Sequence, residues 1–414
     1  MSVRRLDALG VLTVIVYGTW FYGFGVLFST LSVAHNVSAA TLGITYGVAN
    51  LFAGVGAVIT GRRLDAIGPR AVLGLVGPLG ACVYFMSPQF SGLWFLACYA
   101  LGGGLMGAAG FYSFTQPLSV RLIGEGAARA ITRLTIWGAL SSPVMIPLTE
   151  LLRSRFGWQM AIRIPAVLTA VAFVVCAIVC VPKVPSVRVA DSLWGTLGVA
   201  AKNWRLRRFA LAAFLASVAA STLLVYQVPT MQWAGVSSGS AALFASARGL
   251  WQLAGRLPLV AAMEKWGAPR LMIVARALLG FAPLLLLGSG RWVVAVIYVV
   301  IAGITVGALS ALDGVLAREV VGSENFGAIM GGIGLIATLG GSVGPILGGQ
   351  LRDAVDSPVA SMLLVCATAW FATLVFASLR LGDSAPPRIR TEDLRIKSPW
   401  VHPLQPLRCK AFIL

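Results

Sequence analysis

Histidine is nearly absent. His35 and His402 are the two among 414 residues, which excludes a metal or acid–base centre built on imidazoles. Lysine is scarce as well, and none of the five follows a glycine, so a Gly-Lys-Ser/Thr phosphate loop is excluded and nucleotide-driven work with it. Neither His-Glu-x-x-His nor Cys-x-x-Cys occurs. The six cysteines form no disulfide framework. Cys176 and Cys180 share a helix face without His or carboxylate neighbours, which describes a packing pair rather than a metal site. No cofactor, no metal and no enzymatic activity is therefore expected. Charge is thin, at 11% of residues, and acid thinner, with 14 Asp and Glu against 32 Lys and Arg.

What fills the chain is apolar: 58% of residues are hydrophobic and the mean hydropathy is +0.87, the composition of a membrane protein. Apolar runs of roughly 20 residues, enough to cross the ~30 Å hydrocarbon layer as helices, recur twelve times between charge, Pro and Gly clusters. The fifth falls near 128–151 and the eighth near 239–261. The first, 9–31, follows "MSVRR" but is too long for a signal-peptide core, and it reads as a retained helix. The expected fold class is an all-α polytopic membrane protein of two six-helix halves. These are residues 1–182 and 208–381, joined by a cytoplasmic linker, 183–207, with an amphipathic turn around Trp194–Trp204. A disordered cytoplasmic tail, 382–414, follows; its "RIRTEDLRIKSP" resembles peptides made by translating through a bacterial tRNA gene, so it reads as read-through or as an interaction tail.

The +18 net charge sits in alternate loops. Arg4, Arg5, Arg62, Arg63, Arg70, Arg205, Arg207, Arg208, Lys265 and Arg270 share one side with most of the other basic residues, and Arg153, Arg155, Arg163, Arg291 and Arg352 face the other. This positive-inside asymmetry places both termini in the cytoplasm and accounts for the charge without nucleic acid. Arginine in such excess over lysine suggests a bacterial genome rich in G and C, hence an inner membrane.

One charged hinge occurs twice. "GRRLDAIGPR" (61–70) separates the second and third runs, and "VAAMEKWGAPR" (260–270) separates the eighth and ninth. Gly61 permits a tight helix end and close approach of another backbone, Gly68 permits the turn, and a carboxylate at Asp65 must find donors. Here the chain resembles the major facilitator superfamily, whose loop signature is matched by Gly61, Asp65, Gly68 and Arg70, with Ala66 and Pro69 in place of basic residues. The second copy is looser: Glu264, Lys265, Gly267 and Arg270 fit, and Val260 stands at the glycine position. The resemblance implies a two-domain transporter fold and a state-dependent cytoplasmic latch between Asp65 and the Ser323–Asn325 region.

An ionisable side chain within a span costs at least ~2.5 kcal/mol for Arg, so each is a functional candidate. The eighth run spaces Arg248, Gln252 and Arg256 at i, i+4 and i+8, one polar stripe on an apolar helix, and an arginine fork suits a carboxylate. Arg256 lies nearer the cytoplasm, within snorkelling reach. "YGFGVLFSTL" (22–31), "GLWQLAGRLP" (249–258) and "GPILGGQLRD" (344–353) resemble the monocarboxylate and oxalate/formate branch of the superfamily. Its animal members pair an Asp with an Arg four residues on; Arg256 takes the Arg position and Gln252 replaces the Asp, removing that proton site.

Asp313 is a coupling or interface candidate, paired with an arginine of the eighth run or with Arg318. Arg276 reads as a snorkelling residue, and Glu150 with Arg153 as a surface pair. Tyr17, Tyr22, Tyr46, Asn50, Tyr226 and Gln227 are neutral candidates for a cavity lining. Gly340, Gly344, Pro345, Gly348 and Gly349 reproduce a pattern that proton-coupled drug exporters of the superfamily carry on helix 5, here on helix 11, and read as a packing and bending surface. The expected function is gradient-driven transport of a small organic anion by alternating access; the alternative is an exporter of drugs or other amphiphiles. A membrane enzyme or transport-inactive sensor is disfavoured by the missing constellations. The expected partners are an anionic small molecule, the lipid bilayer and a coupling ion, with the chain a monomer.

Overall fold

A backbone crossing hydrocarbon must satisfy its own N–H and C=O groups, and helices do so segment by segment. The computed structural model describes residues 2–123, 127–180, 202–321, 326–379 and 381, and these are helical wherever the apolar runs lie. The first, α1, runs Ser2–Val16, passes through a π-helical turn Tyr17–Tyr22 and continues Gly23–His35. After it come α2 (Ala39–Ile67), α3 (Pro69–Ala71, a π turn Val72–Val76, then Gly77–Met86) and α4 (Gly92–Gly110, then Tyr112–Ile123). The half closes with α5 (Ala127–Ala139, then Ser141–Phe156) and α6 (Trp158–Val179). The second half holds α7 (Trp204–Trp233), α8 (Ser238–Ala254, then Leu259–Trp266), α9 (Ala268–Leu287), α10 (Trp292–Val321), α11 (Phe326–Val355) and α12 (Pro358–Ala377). Most of the linker and nearly all of the tail lie outside the described residues, and α7 begins at Trp204, inside the span expected to be linker.

Among the described residues ten of the helices are long and apolar enough to cross a membrane; α5 and α8 are the ones that fall short, because each is interrupted. The breaks have one cause. Proline lacks the N–H that would bond the carbonyl four residues back. Pro143 stands four after Ala139, where the first piece of α5 stops, and Pro258 four after Ala254, where α8 stops. In α8 the gap closes with tighter bonds, Arg256 N to Leu253 O at 3.1 Å and Leu257 N to Ala254 O at 3.3 Å.

The halves pack alike. In the first, α1 packs on α5 and α6, α3 on α4 and α6, and α2 on α4; the second repeats each pairing six helices later. Across the boundary α2 meets α11, α5 meets α8 and α1 meets α7, which is the set a pseudo-two-fold axis requires. The charged hinge obeys the same symmetry. Gly68 and Gly267 both take positive φ, +82° and +79°, each just before the helix that a proline helps to start. A second repeated turn joins α1 to α2 and α7 to α8. Asn36 and Gly235 hold positive φ, and Ser38 and Ser237 cap the next helix by accepting from Thr41 N and Ser240 N. Gly235-Val236-Ser237-Ser238-Gly239 spells a Gly-x-Ser-x-Gly, yet its central serine is spent on this cap. Outward faces such as Val171, Val174 and Ile178 on α6 and Leu363, Phe371 and Leu374 on α12 are exposed, as lipid contact demands.

Candidate binding cavity between the halves

A cavity of about 320 Å³ lies on the boundary, within the range of small-molecule sites. Its first-half wall includes Phe21, Tyr22 and Asn50, and the second half brings Ser221, Gln227, Arg248, Gln252 and Thr338. Phe21 and Tyr22 end the π turn of α1, whose extra backbone residue re-aims the side chains that follow. Behind them Trp20, fully buried, packs against Phe24, Tyr46 and Tyr99.

Arg248 is 4% exposed, and its Nε and Nη2 make no hydrogen bond among the described residues. Those two nitrogens form the edge that holds a carboxylate elsewhere in this chain. Arg133 grips Asp7 through Nε and Nη2 at 2.7 and 2.8 Å, and Arg153 grips Glu150 through the same pair at 2.7 Å each. Tyr22 and Tyr298 both lie within the electrostatic reach of Arg248. Tyr298 in turn donates to Gln227 Oε1 at 3.2 Å. Two glycines of α10 let α8 sit this close: a side chain on Gly303 would meet the Arg248 carbonyl, and one on Gly307 the Gln252 carbonyl. Neither glycine stood out in the sequence, because a small residue in an apolar helix carries no signal until its neighbour is known.

The expected stripe does not hold to its end. Arg248 and Gln252 line the cavity, but Arg256 is outside the lining, since the regular helix stops at Ala254 and the 100° spacing stops with it. Its Nη1 donates to Thr135 O of α5 at 3.3 Å, across the halves, and its Nη2 to Ser310 Oγ of α10 in its own half at 2.9 Å. Of the neutral candidates, Tyr22, Asn50 and Gln227 line the cavity. Tyr17 stacks on Phe111, Tyr46 lies in the aromatic cluster, and Tyr226 donates to Pro345 O at 2.8 Å.

Asp313 pairs with neither Arg248 nor Arg256. Its Oδ1 accepts from Nη2 of Arg276 at 3.0 Å. Arg276 is accordingly no snorkelling residue: it is 5% exposed, with Nε on Met272 Sδ, Nη1 on Ala212 O and its guanidinium over the Phe376 ring. The pair borders a second cavity of about 450 Å³ that shares Ser217, Ala220, Leu279, Val306, Gly334 and Ala337 with the first.

Between α2 and α11 the halves touch along the end where α2 begins. Gly43, Gly47 and Gly54 sit against Pro345, Ser342 and Thr338, and Gly349 against the Ala39 carbonyl. Gly340, Gly344 and Gly348 instead pack within the second half, on Phe214, Val218 and Thr222 of α7. At the end nearer the repeated hinge, a methyl group on Gly61, Gly68, Gly331 or Gly334 would meet no atom within 4 Å among the described residues. Among the described residues no backbone makes the close approach expected at Gly61, and α2 runs on to Ile67 instead of ending there. Arg70 and Glu264 are exposed, and the Asp65 side chain and Ser323–Asn325 lie outside what is described.

The family model of the Major Facilitator Superfamily matches the chain twice, over residues 9–234 and 209–414. The chain belongs to the Major Facilitator Superfamily. It is a multi-pass secondary transporter, and its two matches correspond to the two halves. The gentisate transporter of Corynebacterium glutamicum is 26% identical over 371 residues, covering 85% of this chain and 82% of the relative. Among solved structures, a mutant of the nucleoside transporter NupG aligns with a TM-score of 0.74 at 16% identity, covering 92% of this chain and 100% of that one. A bacterial homologue of the lysosomal transporter Spinster, inward-facing and unoccupied, aligns with a TM-score of 0.69 at 13% identity, covering 92% and 98%. These two share the superfamily fold.

Proposed function

We propose that this transporter moves a small aromatic carboxylate, with the carboxylate on Arg248 and the ring against Phe21 and Tyr22. The carrying observation is the Arg248 edge: buried, lining the central cavity, and without a carboxylate partner among the described residues. A guanidinium in such a place is costly alone and is compensated when an anion arrives. Gln252, one turn on, supplies a neutral donor and acceptor. The gentisate transporter relative supports the substrate class, since gentisate is itself an aromatic carboxylate. The motif resemblance to the monocarboxylate and oxalate/formate branch points the same way. Arg256 we assign to the tie across the halves rather than to substrate.

The pseudo-two-fold packing supports alternating access, which we take to be driven by a gradient. In the outward-facing state Gly61, Asp65, Gly68 and Arg70, with Glu264 and Arg270 in the second copy, close the cytoplasmic side. On α11, Pro345 and Gly349 face α2 across the boundary on which the halves rock, while Gly340, Gly344 and Gly348 hold α11 to α7 of its own half. We place the chain as a monomer in a bacterial inner membrane with both termini cytoplasmic, on the strength of its basic loops.

Counterflow of labelled gentisate into proteoliposomes tests the site. Arg248→Gln is expected to abolish it and Arg256→Gln to leave measurable exchange; unchanged counterflow in Arg248→Gln refutes the assignment. The apolar second cavity, with Leu309, Met330 and Ile333 on its walls, favours the amphiphile reading instead. Stabilisation of the purified protein by neutral amphiphiles and not by carboxylates would establish that reading.

A further inference from the structure

The two halves fill one helix crossing differently. α3 packs on α6 in the first half as α9 packs on α12 in the second. At the second crossing Trp370 of α12 seats on Gly280 of α9 and meets the Phe281 ring edge-on at 4.7 Å, so protein occupies the space. Ala170 stands at the place in α6 that Trp370 holds in α12, the thirteenth residue of each helix. The first crossing is left with a groove of about 300 Å³, walled by Ala81, Cys82 and Phe85 of α3 and by Ala166, Val167 and Ala170 of α6. Cys82 and Val167 are exposed, so the groove opens on the lipid-facing surface, and it shares no residue with either central cavity.

A cation stands at one end of this groove. Arg163 precedes Ala166 and Val167 by three and four residues, which puts it on the same face of α6. Its guanidinium lies over the Phe85 ring, 5.7 Å from the centroid. The Nε is buried and makes no hydrogen bond among the described residues, and no described carboxylate pairs with this arginine. Arg163 sits five residues into α6, roughly 7 Å along the axis from Trp158. Trp158 and the exposed Trp94 of α4 mark that end of the bundle as the level of the lipid headgroups.

We propose that the groove binds an anionic phospholipid of the surrounding bilayer, with one acyl chain between α3 and α6 and the phosphate on Arg163. An apolar hollow of this kind does not hold water, and acyl chains are what surrounds it. A guanidinium at the edge of hydrocarbon needs an anion. A phospholipid brings both groups in one molecule, the phosphate at headgroup level and the chain below it. None of the groove's lining residues is acidic, so nothing there meets the ammonium of a zwitterionic headgroup, and an anionic headgroup is preferred. The lipid takes the place that Trp370 and Phe281 fill in the other half, in the leaflet away from the repeated hinge. It bridges α3 and α6 and stabilises the first half as a body.

Native mass spectrometry of the purified full-length protein with added phosphatidylglycerol or phosphatidylcholine reads the site. The wild type is expected to retain one phosphatidylglycerol and to prefer it about tenfold over phosphatidylcholine. Arg163→Gln loses the preference and Arg163→Lys keeps part of it. Ala170→Trp, which fills the groove as the second half does, loses the retained lipid with either headgroup; Ala170→Leu replaces it if tryptophan prevents folding, with gel filtration as the control. Thermal unfolding in detergent should follow the same order, phosphatidylglycerol raising the Tm of the wild type more than that of Arg163→Gln or Ala170→Trp. Equal retention of phosphatidylglycerol by the wild type, Arg163→Gln and the groove-filling variant overturns the proposal, as does a wild type that holds both lipids alike. Stabilisation by inorganic phosphate as large as that by phosphatidylglycerol would make Arg163 a site for a free anion and overturn it too.

Discussion

Asp353, near the end of α11, accepts a hydrogen bond from the N–H of Ala39 at 3.0 Å through one carboxylate oxygen, and from Ala40 at 2.7 Å through the other. Ser38 takes the Thr41 N–H, so three of the orphan donors at the start of α2 are satisfied, two of them by the opposite half. Ser29 of α1 donates to Gln232 of α7 at 2.7 Å across the same end. Together with the close approach of Gly43, Gly47 and Gly54 to α11, these contacts close the end of the boundary where α2 begins and α11 ends.

A carboxylate cap adds roughly 1–2 kcal/mol, enough to change a two-state ratio about five- to thirty-fold. Asp353→Ala should raise extracellular alkylation of a single cysteine placed at Ser221 in a cysteine-free background. A rate equal to that of the parent protein would show that the cap does not hold this end shut.

Arg248 should be sensitive to shape as well as charge. Lysine keeps the charge but not the fork, so Arg248→Lys is expected to weaken gentisate binding about tenfold, and Arg248→Gln about a hundredfold. Titration calorimetry in detergent measures both; equal affinity in the Lys variant would mean that the anion does not sit on the Nε–Nη2 edge.

Gly307 should resist enlargement where Gly61 does not. A side chain at Gly307 must displace the Gln252 carbonyl, whereas one at Gly61 meets nothing within 4 Å among the described residues. Gly307→Val is expected to destabilise by about 1–3 kcal/mol and to impair binding, while Gly61→Ala leaves stability the same or higher. Thermal unfolding of the two variants side by side decides this.

Asp65→Asn should slow net transport without changing substrate affinity if the repeated hinge latches the outward-facing state. Transport kinetics at saturating gentisate are the measurement. An unchanged maximal rate would leave the hinge with topology alone.

The hinge itself was readable because its glycines carry a local demand. Gly68 and Gly267 need positive φ wherever the rest of the chain lies, and the flanking prolines announce the next helix. The companion turns at Asn36 and Gly235 were equally local and could have been found by sliding one half of the sequence along the other. The breaks in α5 and α8 were also available, from Pro143 and Pro258, but hydropathy averages over such residues and hides them.

Hydrophobic run length, basic loops and repeated turns by themselves determined a twelve-helix membrane protein in two like halves, because hydrocarbon thickness, membrane orientation and backbone sterics act on short stretches of chain. The tertiary structure alone decided which charges meet. Arg276 and Asp313 are 37 residues apart and Ala39 and Asp353 are 314 apart, and no periodicity on either helix names its partner. Tertiary packing also separated Arg256 from Arg248, since a helix interrupted after Ala254 no longer carries its face forward.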